Sequence, residues 1–520
     1  MIVQTLSAAI SGVEACSVNI EVNVTPCEQQ KTIVNIIGLP DAAIRESRDR
    51  VWSAVLFCKC YIPRGRVTIN LAPADLRKSG AAFDLAIALC IICMDRKLPP
   101  ESLKNTMIVG ELGLNGEIRP VRGILPMAVH AKRIGIKRML VPLANTEEAA
   151  VIEGLEVYGM THLIQVIQFL NKQLEVPRAV VDIQALYQRG QGTCPDFLDV
   201  KGQESAKRAL LIAVSGNHNI LMIGQPGVGK SLIANRIPGI MPTLNLNEAI
   251  EVTKIHSIAG ELPVGGGLIV TRPFRSPHHT VSGAGLLGGG KNIPHPGEIS
   301  LAHRGVLFLD ELPEFKRDVL EALRQPMENG VVNIARASGN YTFPADFMLV
   351  AAMNPCPCGY YGSHPNRCSC SWQAVKMYRS RISGPLLDRM DLHIELQPLS
   401  REQLTGKRAG ETSASIRQKV MACRKIQDQR FEHTNIRSNA AISGKDLDQF
   451  CALDQEGKDF INKAMNSLRL SARSYDRILR VSRTIADLEG DANINAAHLS
   501  EAMNYRCMDQ ENTNRNRERW

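Results

Sequence analysis

The sequence predicts a multidomain α/β protein that closes with a helical region. Three observations carry that reading. Short apolar strands alternate with helical stretches in two separate blocks, residues 1–175 and 201–400. In the second block a glycine-rich turn, "GQPGVGKS", stands between an apolar strand and a helix start. Residues 401–506 show helical periodicity alone. The chain has 520 residues, 44% hydrophobic and 22% charged, enough for about two to four cores and unlike a disordered polypeptide.

In residues 1–175 the strand patterns are "VNIEVNVT", "TIVNIIGL", "RVTINLAP" and "RMLVPL". "FDLAIALCIICM" and "LPMAVHAKRIG" are helical there. The N-terminus lacks a basic start before an apolar block, and Glu14 interrupts it, so it is expected to be mature protein. No run of about 18 uncharged apolar residues argues for a membrane span, and a cytoplasmic location is expected. Residues 176–200 carry two prolines and little periodicity and are expected to be a linker. The region 401–506 contains "SASIRQKVMACRKIQDQRF", "GKDFINKAMNSLRL", "SYDRILRVSRTIADLEG" and "NAAHLSEAMNYR", a helical lid. The tail, 507–520, is expected to fray.

The formal net charge of +9 hints at an anionic partner. Of the 14 cysteines, ten are scattered and read as small core hydrophobes. The other four cluster.

The glycine-rich turn matches G-x-x-x-x-G-K-[ST]. Its residues Gly224, Gln225, Pro226, Gly227, Val228, Gly229, Lys230 and Ser231 are therefore expected to bind ATP. Small residues let backbone N–H groups wrap phosphates at a helix N-terminus. Lys230 would reach the β- and γ-phosphates, and Ser231 would ligate magnesium. Downstream, "GVLFLDELPEF" delivers Asp310 and Glu311 to the end of a buried strand. Asp310 would assist the metal and Glu311 would activate the attacking water. The next apolar strand, "DFMLVAAMNP", ends in Asn354, whose side chain would align that water.

Directly after Asn354 come Cys356, Cys358, Cys368 and Cys370, spaced C-x-C-x9-C-x-C. Four cysteinates in tetrahedral geometry suit zinc, with His364 as an alternative ligand; C-x-C is tighter than the usual C-x2-C. The intervening "GYYGSHPNR" cannot build a core, so a metal would contribute its folding energy. Such a loop would hold Tyr360, Tyr361, His364 and Arg367 outward, the aromatic rings to stack on unpaired bases and Arg367 to meet phosphate.

On the P-loop, the "FLDE" strand end and Asn354 in the place of a sensor asparagine, residues 200–506 resemble the magnesium-chelatase/MCM branch of AAA+ ATPases. That resemblance implies an arginine finger at Arg389 in "SGPLLDRMDLHIEL", offered to a neighbouring subunit, with Arg381 a lesser candidate. It implies a sensor 2 arginine at Arg473 in "LRLSARSYDRILR". The alternative is surface arginines paired with Asp388 or Asp476. The branch carries an insert, here "GELPVGGGLIVTRPFRSPHHTVSGAGLLGGGKNIPHPGEIS", and a hairpin, here "GVVNIARASGNYTFPADF". These line a ring's pore in motor members, which makes Arg336 a DNA-contact candidate. His278 and His279 of "PHH" are read as a packed loop motif and not as a metal site.

The first block resembles the C-terminal domain of Lon protease, of the S5 domain 2-like fold. In "KSGAAFD", however, Ala82 stands where the serine nucleophile belongs, and in "PVRGILP" Leu125 stands at the lysine. No Ser–Lys peptidase works without both, so a dead protease fold serving assembly or DNA binding is expected. Ser79 has no supporting motif. Taken together, the chain resembles the ComM/YifB group over its full length. That resemblance implies an ATP-driven hexameric DNA helicase using ATP and magnesium. It would promote branch migration of incoming single-stranded DNA in natural transformation and homologous recombination. The implied partners are single-stranded and branched DNA, other copies of the chain, and recombinase filaments. The main rival is an ATPase subunit of a metal-chelatase-type complex; the Lon-like block, the cysteine loop and the basic balance favour the helicase. Ala82 and Leu125 oppose an ATP-dependent peptidase, and the complete ATP site opposes a non-enzymatic DNA scaffold.

Overall fold

The computed structural model describes residues 2–26, 32–74, 78, 80–191, 194–262, 266–290, 294–336, 339–362, 368–400, 403, 410–468 and 471–506. Ser79, His364, Arg367 and the tail 507–520 lie outside the described residues.

The N-terminal block is built on a seven-stranded sheet. Its spatial order is Ile33–Ile37, Arg66–Ala72, Glu14–Thr25, Ile2–Ser11, Thr106–Ile108, Arg138–Pro142 and Glu156–Met160. Pairing is antiparallel on both sides of Glu14–Thr25 and parallel elsewhere. The helix Asp84–Met94 is buried from Asp84 to Cys93, which is why its sequence is apolar all round. Its one charge, Asp84, accepts from Arg50 at 2.8 and 3.3 Å. Burial pushes that carboxyl up, and the guanidinium pulls it back.

The stretch expected as a linker carries a helix, Ile183–Gln191, whose Leu186 and Tyr187 pack against a cluster containing Leu244 and Val252. The helix Leu246–Ala259 then joins the two blocks. It starts with a capping box between Asn245 and Glu248. Near its end, the Ser257 hydroxyl donates to buried Glu148 of the N-terminal block. Glu148 also accepts from the Leu125 N–H at 2.9 Å and from Asn145 Nδ2 at 3.1 Å. Lys254 adds an ion pair to Glu14 at 3.0 Å.

The second block holds five parallel strands in the order Phe274–Arg275, Val306–Leu309, Met348–Met353, Ile220–Gly224 and Leu392–Leu396. Every residue of the three central strands is buried. Helices cover both faces of such a sheet, so its strands read as unbroken apolar runs. Their C-terminal ends lie side by side, so Gly224, Asp310 and Asn354 share one rim.

The C-terminal region is helical: Ser413–Phe431, Gln455–Leu468, Ala472–Glu489 and Ala496–Asn504. Its apolar residues, among them Val420, Ile461, Ile485 and Leu499, join the same core as the sheet. Asp487 knots the helices together, accepting from Arg430 Nη1 at 2.8 Å, Arg483 Nε at 3.1 Å and Asn439 Nδ2 at 2.8 Å. Arg483 is only 3% exposed. Asp487→Ala would leave that buried cation with the Asp491 and Ala492 carbonyls but without its carboxylate, so the helical region is expected to lose about 3–5 kcal/mol of stability. An unchanged urea midpoint for helical circular dichroism would refute this. No helix among the described residues is long and apolar enough to cross a membrane.

Candidate nucleotide site and cysteine cluster

After the buried strand ending at Gly224, the chain turns through Gly227 at φ 82° and Gly229 at φ 98°. Both angles fall in the region where a side chain is strained, so these positions call for glycine. Lys230 then opens a helix and is 9% exposed. Its Nζ donates to Gly224 O at 2.6 Å, Gln225 O at 3.1 Å and Asn354 Oδ1 at 3.0 Å. Burial pushes its pKa down, while Asp310 and Glu311 push it up. Ser231 Oγ donates to Asp310 Oδ2 at 2.6 Å. Adjacent ligands of an octahedral magnesium with ~2.0–2.1 Å bonds lie about 2.9 Å apart, so a parting of about 0.3 Å would let these two oxygens share one ion. Asp310 Oδ1 accepts from the Glu311 N–H at 2.9 Å. The structure thus brings Lys230, Ser231, Asp310, Glu311 and Asn354 to one end of the sheet, around a glycine-lined turn at a helix N-terminus. This arrangement can hold a polyphosphate, a divalent cation and a carboxylate-activated water.

The four clustered thiols also converge. All lie within 4.8 Å of one another. Sulfur separations are 3.3 Å for Cys356–Cys358, 3.8 Å for Cys356–Cys368 and 3.6 Å for Cys358–Cys368. A tetrahedron with ~2.3 Å metal–sulfur arms has edges of ~3.8 Å, so the donor set fits a zinc-sized ion. Cys356 is fully buried, and its sulfur accepts the Tyr361 N–H at 3.3 Å. The Tyr360 backbone bond is the largest cause holding the Cys358 thiol down at about 6. Tyr360 and Tyr361 are half-buried, not projecting outward as expected. The Arg379 guanidinium sits 5.6 Å from the Tyr361 ring centre. Gly359, at φ 86°, presses on the glycine-rich turn: a Cβ there would lie 2.6 Å from Pro226 Cδ.

Arg389 lies at the opposite end of the sheet. Its carbonyl accepts from Asn219 Nδ2 at 3.1 Å, and Asn219 directly precedes the strand whose far end carries the turn. Its guanidinium pairs with Glu328 and donates to Pro385 O at 2.7 Å, leaving a buried Nε without a partner among the described residues. Arg473 is exposed and bonds Asp388 at 3.4 Å, one of the two pairings weighed above. Arg389 and Arg473 line one cavity of about 670 Å³ with Arg477 and Arg480. Arg381 pairs with Glu314 at 2.8 Å. Arg336 is exposed, opposite Gly339 in the hairpin Val331–Arg336/Gly339–Pro344.

Leu125 is fully buried. Ala82 lines a cavity of about 580 Å³ beside Gly80, Phe83 and Arg122. No serine, threonine, cysteine or lysine is among the described residues lining it. Among the described residues, His278 and His279 form no group of three potential ligands whose donor atoms all lie within 4.8 Å of one another. Glu489, Asp491 and His498 do cluster, but His498 Nδ1 accepts the Asn495 N–H at 3.2 Å. Its proton therefore sits on Nε2 and is donated to Glu489 at 3.0 Å, as in an ordinary helix-end pair. Sequence reasoning missed the place of His279, 3.4 Å from Glu311.

Three family models match the chain. Residues 196–404 match magnesium chelatase, subunit ChlI; residues 20–145 match subunit ChlI of Mg-chelatase; and residues 410–506 match the ChlI C-terminal region. The competence protein ComM of Haemophilus influenzae is 45% identical over 507 residues, covering 96% of this chain and 97% of that protein. The uncharacterized protein YifB of Escherichia coli is 41% identical over 506 residues, covering 96% of each. A magnesium-chelatase 67 kDa subunit of Chlorobaculum parvum is 28% identical over 163 residues, which is 31% of this chain and 23% of that protein.

Proposed function

Because the chain belongs to the ComM/YifB-type family of magnesium-chelatase-like proteins, we propose that it is an ATP-hydrolysing, ring-forming DNA motor. In this reading it is a helicase that promotes branch migration while single-stranded DNA is integrated during natural transformation and homologous recombination. The observation that carries the ATPase part is the single rim shared by Lys230, Ser231, Asp310, Glu311 and Asn354. Ser231 and Asp310 would hold magnesium, and Glu311 would take a proton from the attacking water. The DNA part is supported by the name of the Haemophilus relative and by exposed Arg336 on the hairpin. Arg389 and Arg473, both far from their own glycine-rich turn, would serve a neighbouring copy's nucleotide in a homohexamer. The N-terminal block is read as a Lon-like fold without peptidase chemistry, and the protein as cytoplasmic, with recombinase filaments as further partners.

The deciding experiment is the ATPase rate with and without single-stranded and forked DNA. Stimulation is expected. A rate indifferent to DNA but raised by a porphyrin-loaded partner would overturn the motor in favour of a chelatase-type ATPase subunit, a reading supported by the family descriptions themselves.

Zinc is the proposed occupant of the four thiols, at about one ion per chain. Cys356→Ser with Cys358→Ser is expected to lose the metal by elemental analysis and to weaken DNA binding. Because Gly359 bears on Pro226, the KM for ATP should rise as well. Zinc-free wild-type protein with undiminished DNA affinity would sink the assignment.

A further inference from the structure

The insert reaches the water-activating end of the site through one contact. Parallel pairing sets Phe274 beside Val306 and Arg275 beside Leu307. Four residues farther along the two chains stand His279 and Glu311, so the register itself carries one towards the other. His279 Nδ1 lies 3.4 Å from Glu311 Oε2. The imidazole is held on two sides, with the His278 ring centre at 4.0 Å and the Phe315 ring edge-on at 6.4 Å. Behind it, Arg275 fastens the strand to the far end of the insert through a two-pronged pair with Glu298 at 2.6 and 2.8 Å. A third bond reaches Glu261 at 2.8 Å. Glu311 itself has φ 52°, a left-handed conformation that a non-glycine residue adopts only when its surroundings hold it there.

We propose that His279 is the positioning residue for Glu311. The two groups stand in ion-pair contact at 3.4 Å; with its proton on Nδ1 and a small turn of the ring, the imidazole donates to one carboxylate oxygen and fixes the direction of the other. The inference rests on reading Glu311 as the general base for hydrolysis. In that step the water oxygen bonds to the γ-phosphorus as the bond to the β-phosphate oxygen of departing ADP breaks. The water proton passes to Glu311. A base must sit within hydrogen-bond reach of the proton it takes, so a carboxylate free to rotate about a strained backbone loses much of its effect. His279 acts through Glu311 and need not touch the nucleotide.

The test exploits the shape of two amides. The side-chain nitrogen of asparagine falls where Nδ1 stood, and that of glutamine falls where Nε2 stood. His279→Ala and His279→Gln are expected to lower kcat about ten- to a hundredfold. KM for ATP should stay within about twofold, because ground-state binding is untouched. His279→Asn should recover most of the rate. Circular dichroism confirms that each variant is folded. A His279→Ala chain at wild-type kcat, or an asparagine variant no better than the glutamine one, would overturn the assignment. Wild-type protein without any ATP hydrolysis would instead overturn the ATPase reading on which it stands.

Discussion

Lys230→Ala is expected to lower ATP hydrolysis by at least about a thousandfold while leaving the fold intact. The lysine opens the helix directly after the glycine-rich turn, and it is largely withdrawn from water. Its ammonium is shared among Gly224 O, Gln225 O and Asn354 Oδ1, and burial disfavours its charge. A triphosphate laid across the turn would supply the missing negative charge, so the same amine would gain most as charge builds on the transferring phosphoryl group. Alanine cannot replace that contribution. The side chain makes polar contacts with a loop and does not fill the core, so thermal unfolding should shift little. Phosphate release and a melting curve on the same preparation test both halves. Hydrolysis at the normal rate would sink the site.

Chains carrying Arg389→Ala and chains carrying Glu311→Gln are each expected to be inactive alone and to regain hydrolysis when mixed. Asn219, which holds Arg389, and Gly224, which begins the turn, sit at opposite ends of one five-residue strand. Such a strand spans ~16 Å, too far for Arg389 to reach its own nucleotide. A neighbour's nucleotide is the target left. In a randomly mixed closed ring, roughly a quarter of interfaces join an intact Glu311 to an intact Arg389, so a clear fraction of wild-type activity should return. Silence after demonstrated subunit exchange would count against a shared site.

The nucleotide site was legible because each of its parts is local. A glycine-rich turn, an aspartate–glutamate pair and an asparagine each close an apolar strand, and parallel packing alone brings strand ends together. The cysteine spacing likewise announced its own convergence, and the structure places three sulfur pairs at 3.3–3.8 Å. The lid helices followed from their periodicity. Other features depend on partners distant in sequence. The helix Ile183–Gln191 is short and borrows its stability from Leu244 and Val252, so its own residues looked like linker. Glu148 reads as one more surface acid until Ser257 and the Leu125 N–H close around it. The pairing of His279 with Glu311 requires the register of two strands separated by residues 276–305. The two tyrosines of the cysteine loop were expected to point outward, because nothing in "GYYG" reveals that Arg379 waits over one of them.

Gly359 and Pro226 make the glycine-rich turn and the cysteine loop a single interchangeable part. A side chain at 359 would meet the proline ring at 2.6 Å, and a backbone at φ 86° would resist it as well. Grafting either loop alone from a related protein would therefore bring together surfaces that were never shaped for one another. Grafting both should transfer cleanly. A set of chimeras would then sort into two groups, with nucleotide affinity surviving only where the two segments share a parent, although more than a hundred residues of chain separate them.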